Sequence, residues 1–597
     1  MMTKNQGTKG VNYKVLTTPL QADVITPIMM LSNVEAAHTV AQNAAKNAAN
    51  NTHNTPNNNA HKDVHNNTEP NNKPNNSTAK GDDSTTLPHA SNNKAANGSS
   101  CNNLEDEERK KKHNNADELL CDNKNIEAKA GEDTTPPSFT TSQNLPLEGL
   151  FSGQDTIFFY ESVITDSIKG RYSILAFGQN ECYTFNDANG FGALQNIIDN
   201  LSVQSEGQNL PNFVGSLFFY ATYDAAMGYH NIALSPKAVD TLQIAQINAV
   251  LPKFVVFFDK LFDTAFLCNI YSENISLAEA ENQNQQIQQI LYSPSALQNK
   301  AQPATNCTNN QKPHIFYNKK HEIEGFDGFY SNISAEEYKA GVQKCQQYIK
   351  AGDCFQVVPS LRLYKYVGEK YSSLNFYRRL RNINPSPFMF YIKTQDFCIT
   401  GASPEIMVRL KNEQITIKPL AGTRKKTGDA KQDELIAKQL LADAKEISEH
   451  LILLDLGRND VGSVAAYNSV SCPRQMEVEF YSHVMHISST VCGQKKQTAT
   501  EIDVLLAGMP AGTVSGGPKI RAMQIINEIE GVNRSFYSGC LGYIGKGVVE
   551  SCIMLRTCLI KNASITLQAG AGVVYSSCPE SEYQECINKM KAIIKAV

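Results

Sequence analysis

The feature that most restricts how this chain can fold is a break in its composition. From about residue 40 to 138 Asn dominates, as in Asn57-Asn58-Asn59 and Asn71-Asn72, diluted by Ala, Thr, His and Lys. A charge block, Glu105-Asp106-Glu107-Glu108-Arg109-Lys110-Lys111-Lys112-His113, lies within it. Such a stretch carries too little apolar surface to offset the entropy of ordering it. Residues 40–140 therefore read as a disordered insertion, and any core must be assembled from the segments on either side.

Before the insertion, residues 1–39 hold strand and helix signals, Val15-Leu16 and Val24-Ile25-Thr-Pro-Ile28-Met-Met-Leu31. After it, residues 141–292 read as rich in strands: 156–160, 172–177, 213–220 and 254–258, followed by a helix over 278–291. Residues 293–325 read as a polar linker. From Ser334, a capping-box opening starts a helix that Gly352 stops, and strand and helix patterns alternate from there to Val597. The fold class is α+β, with antiparallel sheets layered against helices and a β-rich N-terminal part.

Composition excludes several functions. A net charge of −4 over 597 residues gives no basic field for nucleic acid. No apolar run is long enough to span a membrane, and the first ten residues lack a signal-peptide core. The 15 cysteines include no C-x-x-C pair, which points to reduced thiols in a cytoplasmic protein rather than a zinc or redox motif. Gly508 to Lys519 lacks the P-loop spacing. Gln568-Ala-Gly-Ala-Gly572-Val-Val lacks the third glycine of a dinucleotide fingerprint, and Val573-Val574-Tyr575 reads as continued strand.

Two glutamate pairs are the candidates for chemistry, the alternative on spacing alone being two solvated helix edges. Glu446 and Glu449 lie in Lys445-Glu-Ile-Ser-Glu-His450, and Glu582 and Glu585 in Ser581-Glu-Tyr-Gln-Glu585. Spacing i, i+3 in helical stretches puts each pair on one helix face. If the two faces meet, each like-charge contact at ~5 Å costs about 3 kcal/mol at an effective dielectric of ~20. A hard divalent cation, Mg2+ above all, removes that cost and leaves positions for an anionic substrate. Arg556, in the apolar strand Cys552-Ile-Met-Leu-Arg-Thr557, needs either an ion pair or a carboxylate ligand. His486 is an acid or base candidate, or a satisfied structural histidine. Gly422 and Thr423, in Ile417-Lys-Pro-Leu-Ala-Gly-Thr-Arg424, make a turn that lets a ligand approach backbone closely. Arg424-Lys425-Lys426 reads as a solvated loop.

These stretches, with Phe355-Gln-Val-Val-Pro-Ser360, Asn384-Pro-Ser-Pro-Phe-Met389, Gly401-Ala-Ser-Pro-Glu405, Asp455-Leu-Gly-Arg-Asn-Asp460 and Gly512-Thr-Val-Ser-Gly-Gly-Pro-Lys519, resemble the chorismate-utilising enzymes. Within that family the resemblance is greatest to the large subunits (component I) of anthranilate synthases. It implies a catalytic domain over 326–597 and an N-terminal regulatory domain. It implies Mg2+ held by Glu449 and Glu585, with Glu446 and Glu582 beside them. Gly422, Thr423, Tyr537, Arg556, Gly570, Ala571, Gly572 and Lys589 become contacts to chorismate. Glu405 becomes the acid that assists loss of the ring hydroxyl, with His486 and Thr513 serving later steps and placement. Ala421 stands where aminodeoxychorismate synthases carry Lys, and Gln356 where enzymes that add water carry a Lys base. In what the resemblance implies, Ala421 closes the covalent route and favours an anthranilate synthase, and Gln356 argues against water as the nucleophile. Ser162 and Pro387-Phe388-Met389 match an L-tryptophan inhibitor site, although Phe388 departs from the frequent Tyr. No Gly-x-Cys-x-Gly glutaminase turn is present, so a separate glutamine amidotransferase subunit is the expected partner. The alternatives are an aminodeoxychorismate synthase and a catalytically silent tryptophan-binding homologue.

Overall fold

Strands with alternating burial build the frame, because successive side chains of a strand point to opposite faces. Phe158 and Phe159 are both fully buried, yet they enter different cores. The structure is a computed structural model, and it describes residues 12–22, 26–52, 150, 154–163, 170–187, 189–205, 210–235, 238–293, 321–481 and 484–597. Most of the Asn-rich insertion and of the 293–325 linker lies outside these. Residues 1–46 and 140–597 form one unit.

Two large sheets dominate, of 13 and 10 strands, with a two-stranded sheet, Gln356–Val357 against Gly516–Gly517, beside them. The strands before residue 292 and after residue 321 share both large sheets. Ile157–Glu161 pairs antiparallel with Phe388–Lys393, register Met389↔Glu161, and Leu217–Ala221 pairs with Cys540–Gly545. One core contains Phe158, Ile174 and Phe257 of the larger sheet together with Leu217, Val250 and Ile553 of the smaller. The other face of the larger sheet is covered by helices Pro27–Thr52, Leu277–Leu291, Ala335–Lys350, Ser373–Ile383 and Pro579–Ala596. Among the described residues no helix is long and apolar enough to cross a membrane, and the described cysteines are free.

Several expectations are met locally. Ser334 and Glu337 form the capping box of Ala335–Lys350, and Gly352 follows at φ 86°. Both glutamate pairs lie on helices, Ala444–Val464 and Pro579–Ala596. Other readings change. Arg556, read within an apolar strand, stands at φ 48° in the bend between strands Val548–Ile553 and Thr557–Lys561. The strand expected over 213–220 is Leu217–Ala221, because Gly215 at φ 86° belongs to a turn that precedes it. Strand Ser564–Gly570 ends before Val573, which makes only an isolated bridge to Val357. The first helix runs to Thr52, past residue 40, since the Ala-rich start of the tract favours helix.

Candidate active site

Helix Ala444–Val464 begins on an Asp443 cap whose carboxylate accepts the Lys445 and Glu446 amide N–H groups. The cap fixes Glu446 in the first turn and Glu449 one turn on. The helix crosses strands Gln414–Ile417 and Val484–Gln494 so closely that a Cβ at Gly457 would be 3.7 Å from Ile417 and Val491. Helix Pro579–Ala596 packs on strand Ser564–Gly570 and carries Glu582, Glu585 and Lys589. Burial first, then Glu446 and Glu585, raise the pKa of Glu449. Burial and Glu585 likewise raise Glu582, which Ser577 hydrogen-bonds. The two glutamate faces, remote in sequence, thus act on one another.

Each carboxylate has a protein partner. Arg424 Nη1 donates to Glu446 at 2.8 Å and its Nη2 to Asp443 at 2.9 Å. Gln356 Nε2 donates to Glu449 at 3.1 Å. Lys589 Nζ lies 2.8 Å from Glu585 and donates to the Gly570 carbonyl at 2.8 Å. Among the described residues no three acidic, His or Cys side chains already converge as a metal cage. Arg424, read from sequence as a solvated loop residue, instead neutralises the acidic helix start. Its neighbours Lys425 and Lys426 hid that role.

Three glycines shape the site, and at Gly570 a Cβ would come 2.8 Å from the Pro359 carbonyl oxygen. Gly422 sits at φ 60° in a bulge of strand Leu420–Lys425, and a Cβ there would lie 3.1 Å from Glu446 Oε2. A Cβ on Gly572 would come 2.7 Å from Gln356 Nε2 and 3.4 Å from Glu449. Ala571 is buried and donates its N–H to the Pro359 carbonyl, and the Tyr537 hydroxyl approaches Gly570. Tyr537 is itself buried, with Arg534 5.5 Å from its ring centroid.

Glu405 follows strand Phe397–Ser403 and is 6% exposed. Burial pushes its pKa up to about 8, against the Thr513 hydroxyl, the Leu420 N–H, Arg556 and Lys589, which all favour the carboxylate. Thr513 Oγ1 donates to Glu405 Oε1 at 3.1 Å. His486 is pulled down to about 4 by burial and by Arg556, so it is neutral at pH 7. Its Nδ1 lies 3.1 Å from both the Gly422 carbonyl and the Thr423 hydroxyl. A carbonyl can only accept, so Nδ1 carries the proton and Nε2 keeps a basic lone pair. Arg556, at φ 48°, makes no ion pair among the described residues, and burial lowers its pKa. A buried, unmatched guanidinium beside a neutral acid is a receptor for an anion.

At the start of strand Phe388–Lys393, Ser162 and Met389 are buried and Pro387 and Phe388 half-buried. Val163 N–H donates to the Ser386 carbonyl. Glu161 is held by Arg381 at 2.7 Å and by the Tyr377 hydroxyl at 2.5 Å. The four inhibitor candidates therefore cluster at the ends of two adjacent strands in the interior of the larger sheet.

Layered antiparallel sheets here position acidic helices whose glutamates act on one another and a buried arginine that makes no ion pair among the described residues. The chain belongs to the chorismate binding enzyme family, whose model matches residues 160–595. It is similar to anthranilate synthase component 1 of Acetivibrio thermocellus, 37% identical over 469 residues that cover 75% of this chain and 91% of that one. Among solved structures, anthranilate synthase component I from Streptococcus pneumoniae superposes with a TM-score of 0.58 at 31% identity, covering 72% of this chain and 94% of that one. The menaquinone-specific isochorismate synthase of Escherichia coli, at 19% identity and TM-score 0.55 over 74% of this chain and 88% of that one, shares the fold.

Proposed function

We propose that this chain is an anthranilate synthase component I: it converts chorismate and ammonia to anthranilate, pyruvate and water. The observation that carries the reading is Glu405, a buried acid still protonated at neutral pH, beside the unmatched Arg556. Arg556 and Tyr537 receive one substrate carboxylate. Glu405 donates its proton to the departing ring hydroxyl, which leaves as water as ammonia bonds to the ring. His486 Nε2 then takes the ring proton at the aminated carbon, and pyruvate leaves as the ring becomes aromatic. Gln356 cannot deprotonate water at neutral pH, which supports ammonia as the nucleophile. Ala421 offers no amine for a covalent intermediate, which separates this reading from aminodeoxychorismate synthase.

The donor set fits Mg2+. Glu449, Glu585, Glu446 and Glu582 are hard oxygen ligands, and Mg2+ is commonly held by one or two carboxylates with the substrate supplying more. When bound, the cation supplies charge neutralisation and orientation for the ring carboxylate. A glutamine amidotransferase subunit supplies the ammonia, and L-tryptophan inhibits by binding at Ser162, Pro387, Phe388 and Met389.

Incubation of the purified chain with chorismate, Mg2+ and ammonium, followed by fluorescence and mass analysis, tests the reading. Anthranilate and pyruvate are expected. 4-Amino-4-deoxychorismate would assign the chain to the alternative amination, and no product with retained L-tryptophan binding would make it a silent homologue. Calorimetric titration with L-tryptophan, lost in Ser162→Ala, tests the inhibitor site.

A further inference from the structure

Residues 356–360 join several parts of the site. Gln356 reaches Glu449, and Gln356–Val357 pairs with Gly516–Gly517. Val357 exchanges backbone hydrogen bonds with Val573, and the Val358 N–H donates to the Ser515 carbonyl at 3.0 Å. The Pro359 carbonyl accepts the Ala571 N–H at 3.3 Å. That carbonyl and the Tyr537 hydroxyl crowd Gly570, where a Cβ would come 2.8 Å and 3.0 Å from them.

A buried ion pair holds the far end of this stretch. Glu530 follows helix Lys519–Ile529, and Arg534 folds back onto it, with Nε 2.9 Å from one carboxylate oxygen and Nη2 2.7 Å from the other. The two side chains are 7% and 2% exposed. Arg534 Nη2 also donates to the Val358 carbonyl at 2.5 Å, and Nη1 to the Val514 carbonyl at 2.8 Å. Glu530 Oε1 accepts the N–H and the hydroxyl of Ser360, at 2.7 Å and 2.8 Å. Pro359 is thus gripped from both sides, Val358 by the guanidinium and Ser360 by the carboxylate. Val514 follows Thr513, which donates to Glu405. The Tyr537 N–H donates to the Arg534 carbonyl at 3.2 Å.

Taking two charges out of water is costly, and apolar side chains of like volume often serve stability as well. Apolar contact is non-directional, whereas a hydrogen bond weakens steeply off line. The planar fork of an arginine therefore fixes the separation of its partners as packing alone does not. We propose that Glu530 and Arg534 are positioning residues for the chorismate site: their ion pair sets the spacing of Pro359, Val514 and Tyr537, and through them of Gly570 and Thr513. The proposal rests on the reading that Tyr537 and residues 570–572 contact chorismate.

Two variants, assayed for chorismate at fixed Mg2+ and ammonium, separate the arms of the device. Ser360→Ala loses one hydrogen bond to Glu530 and keeps the ion pair. It should raise KM about fivefold, the weight of one hydrogen bond, with kcat within about twofold of wild type. Arg534→Lys keeps the charge and loses the fork, so Val358 and Val514 are no longer held together. It should raise KM and lower kcat, with kcat/KM down about a hundredfold, the cost of a shift of about 1 Å. Ile287→Ala, at a buried position of helix Leu277–Leu291, loses stability without touching the site and should leave KM and kcat at wild type. Unchanged KM and kcat in the two site variants, or the same losses in Ile287→Ala, overturn the proposal. If Arg534→Lys does not fold, Ser360→Ala decides alone. Hydrogen exchange followed by mass spectrometry reads the device without substrate. In Arg534→Lys, residues 356–360, 512–515 and 568–572 should all exchange faster, and acceleration confined to residues 530–534 also overturns the proposal. A wild type that binds chorismate by calorimetry but makes no anthranilate counts against the functional reading alone, and the dissociation constants of the same variants then decide the role of the pair.

Discussion

Glu405 makes the sharpest prediction, because its role depends on holding a proton. Burial lifts its pKa from 4.5 to about 8, which disfavours the ionised form by about 5 kcal/mol relative to water. Roughly nine-tenths of the free enzyme therefore carries the proton at pH 7. In the profile of kcat/KM, which reports the free enzyme, activity should be level through neutrality, halve near pH 8 and fall about tenfold per further unit. Glu405→Gln removes the proton and should lower kcat by about 100- to 10,000-fold. Thr513→Val removes the hydroxyl that stabilises the carboxylate at 3.1 Å, so the Glu405 pKa should rise and the alkaline limb move up by roughly one unit. Anthranilate fluorescence, followed at saturating Mg2+ with free ammonia held constant, reads all three. A limb that stays in place or moves down in Thr513→Val would refute the assignment, as would Glu405→Gln within tenfold of wild type.

Glu449→Gln should abolish turnover while leaving the thermal midpoint of the metal-free protein unchanged or higher, since it removes a carboxylate that Glu446 and Glu585 repel; a large drop in the midpoint by calorimetry contradicts this. The raised pKa values of Glu449 and Glu582 mean that the folded state holds protons after the unfolded chain has released them. Their contribution to stability is present in the ordinary glutamate range and lost as pH rises, so the metal-free protein should gain thermal stability on moving from pH 7 toward 5, and less so in Glu449→Gln. EDTA should remove activity and Mg2+ restore it, with added Mg2+ at a hundred times its Kd stabilising the fold by about 2.7 kcal/mol; a midpoint indifferent to Mg2+ argues against the ligand set. Glu530→Gln leaves the Arg534 guanidinium, 2% exposed and 2.7 Å from that carboxylate, without its anion, and should cost about 3–5 kcal/mol in urea unfolding.

What the sequence revealed, and what it hid, follows from the range of the interactions. The two acidic helices were legible because i, i+3 spacing is local. The capping box at Ser334 was legible for the same reason. That the acidic faces meet depends on sheet order, which no local pattern encodes. Gly215, at positive φ in the preceding turn, delays the strand to Leu217, where the apolar run alone favoured a start at Phe213. Arg424 looked solvated because two lysines follow it, and only the fold brings Glu446 within 2.8 Å.

Sheet register also links the acid to the proposed inhibitor site. Strand Phe388–Lys393 has two neighbours, Ile157–Glu161 on one side and Phe397–Ser403 on the other. Met389 lies opposite both Glu161 and Ala402, and Phe388 lies opposite Ser403. Ser162 follows the first of these neighbours and Glu405 the second, so one strand separates them. The Ser403 hydroxyl donates to the Glu405 carbonyl at 3.3 Å, tying the strand end to the acid. A ligand seated on Ser162 and Met389 that displaced this strand would act on the backbone that aims Glu405, through paired hydrogen bonds rather than through the glutamate helices. Inhibition by that route lowers kcat through the acid and leaves Mg2+ affinity unchanged, whereas inhibition through the helices would weaken Mg2+ binding in equal measure, by linkage.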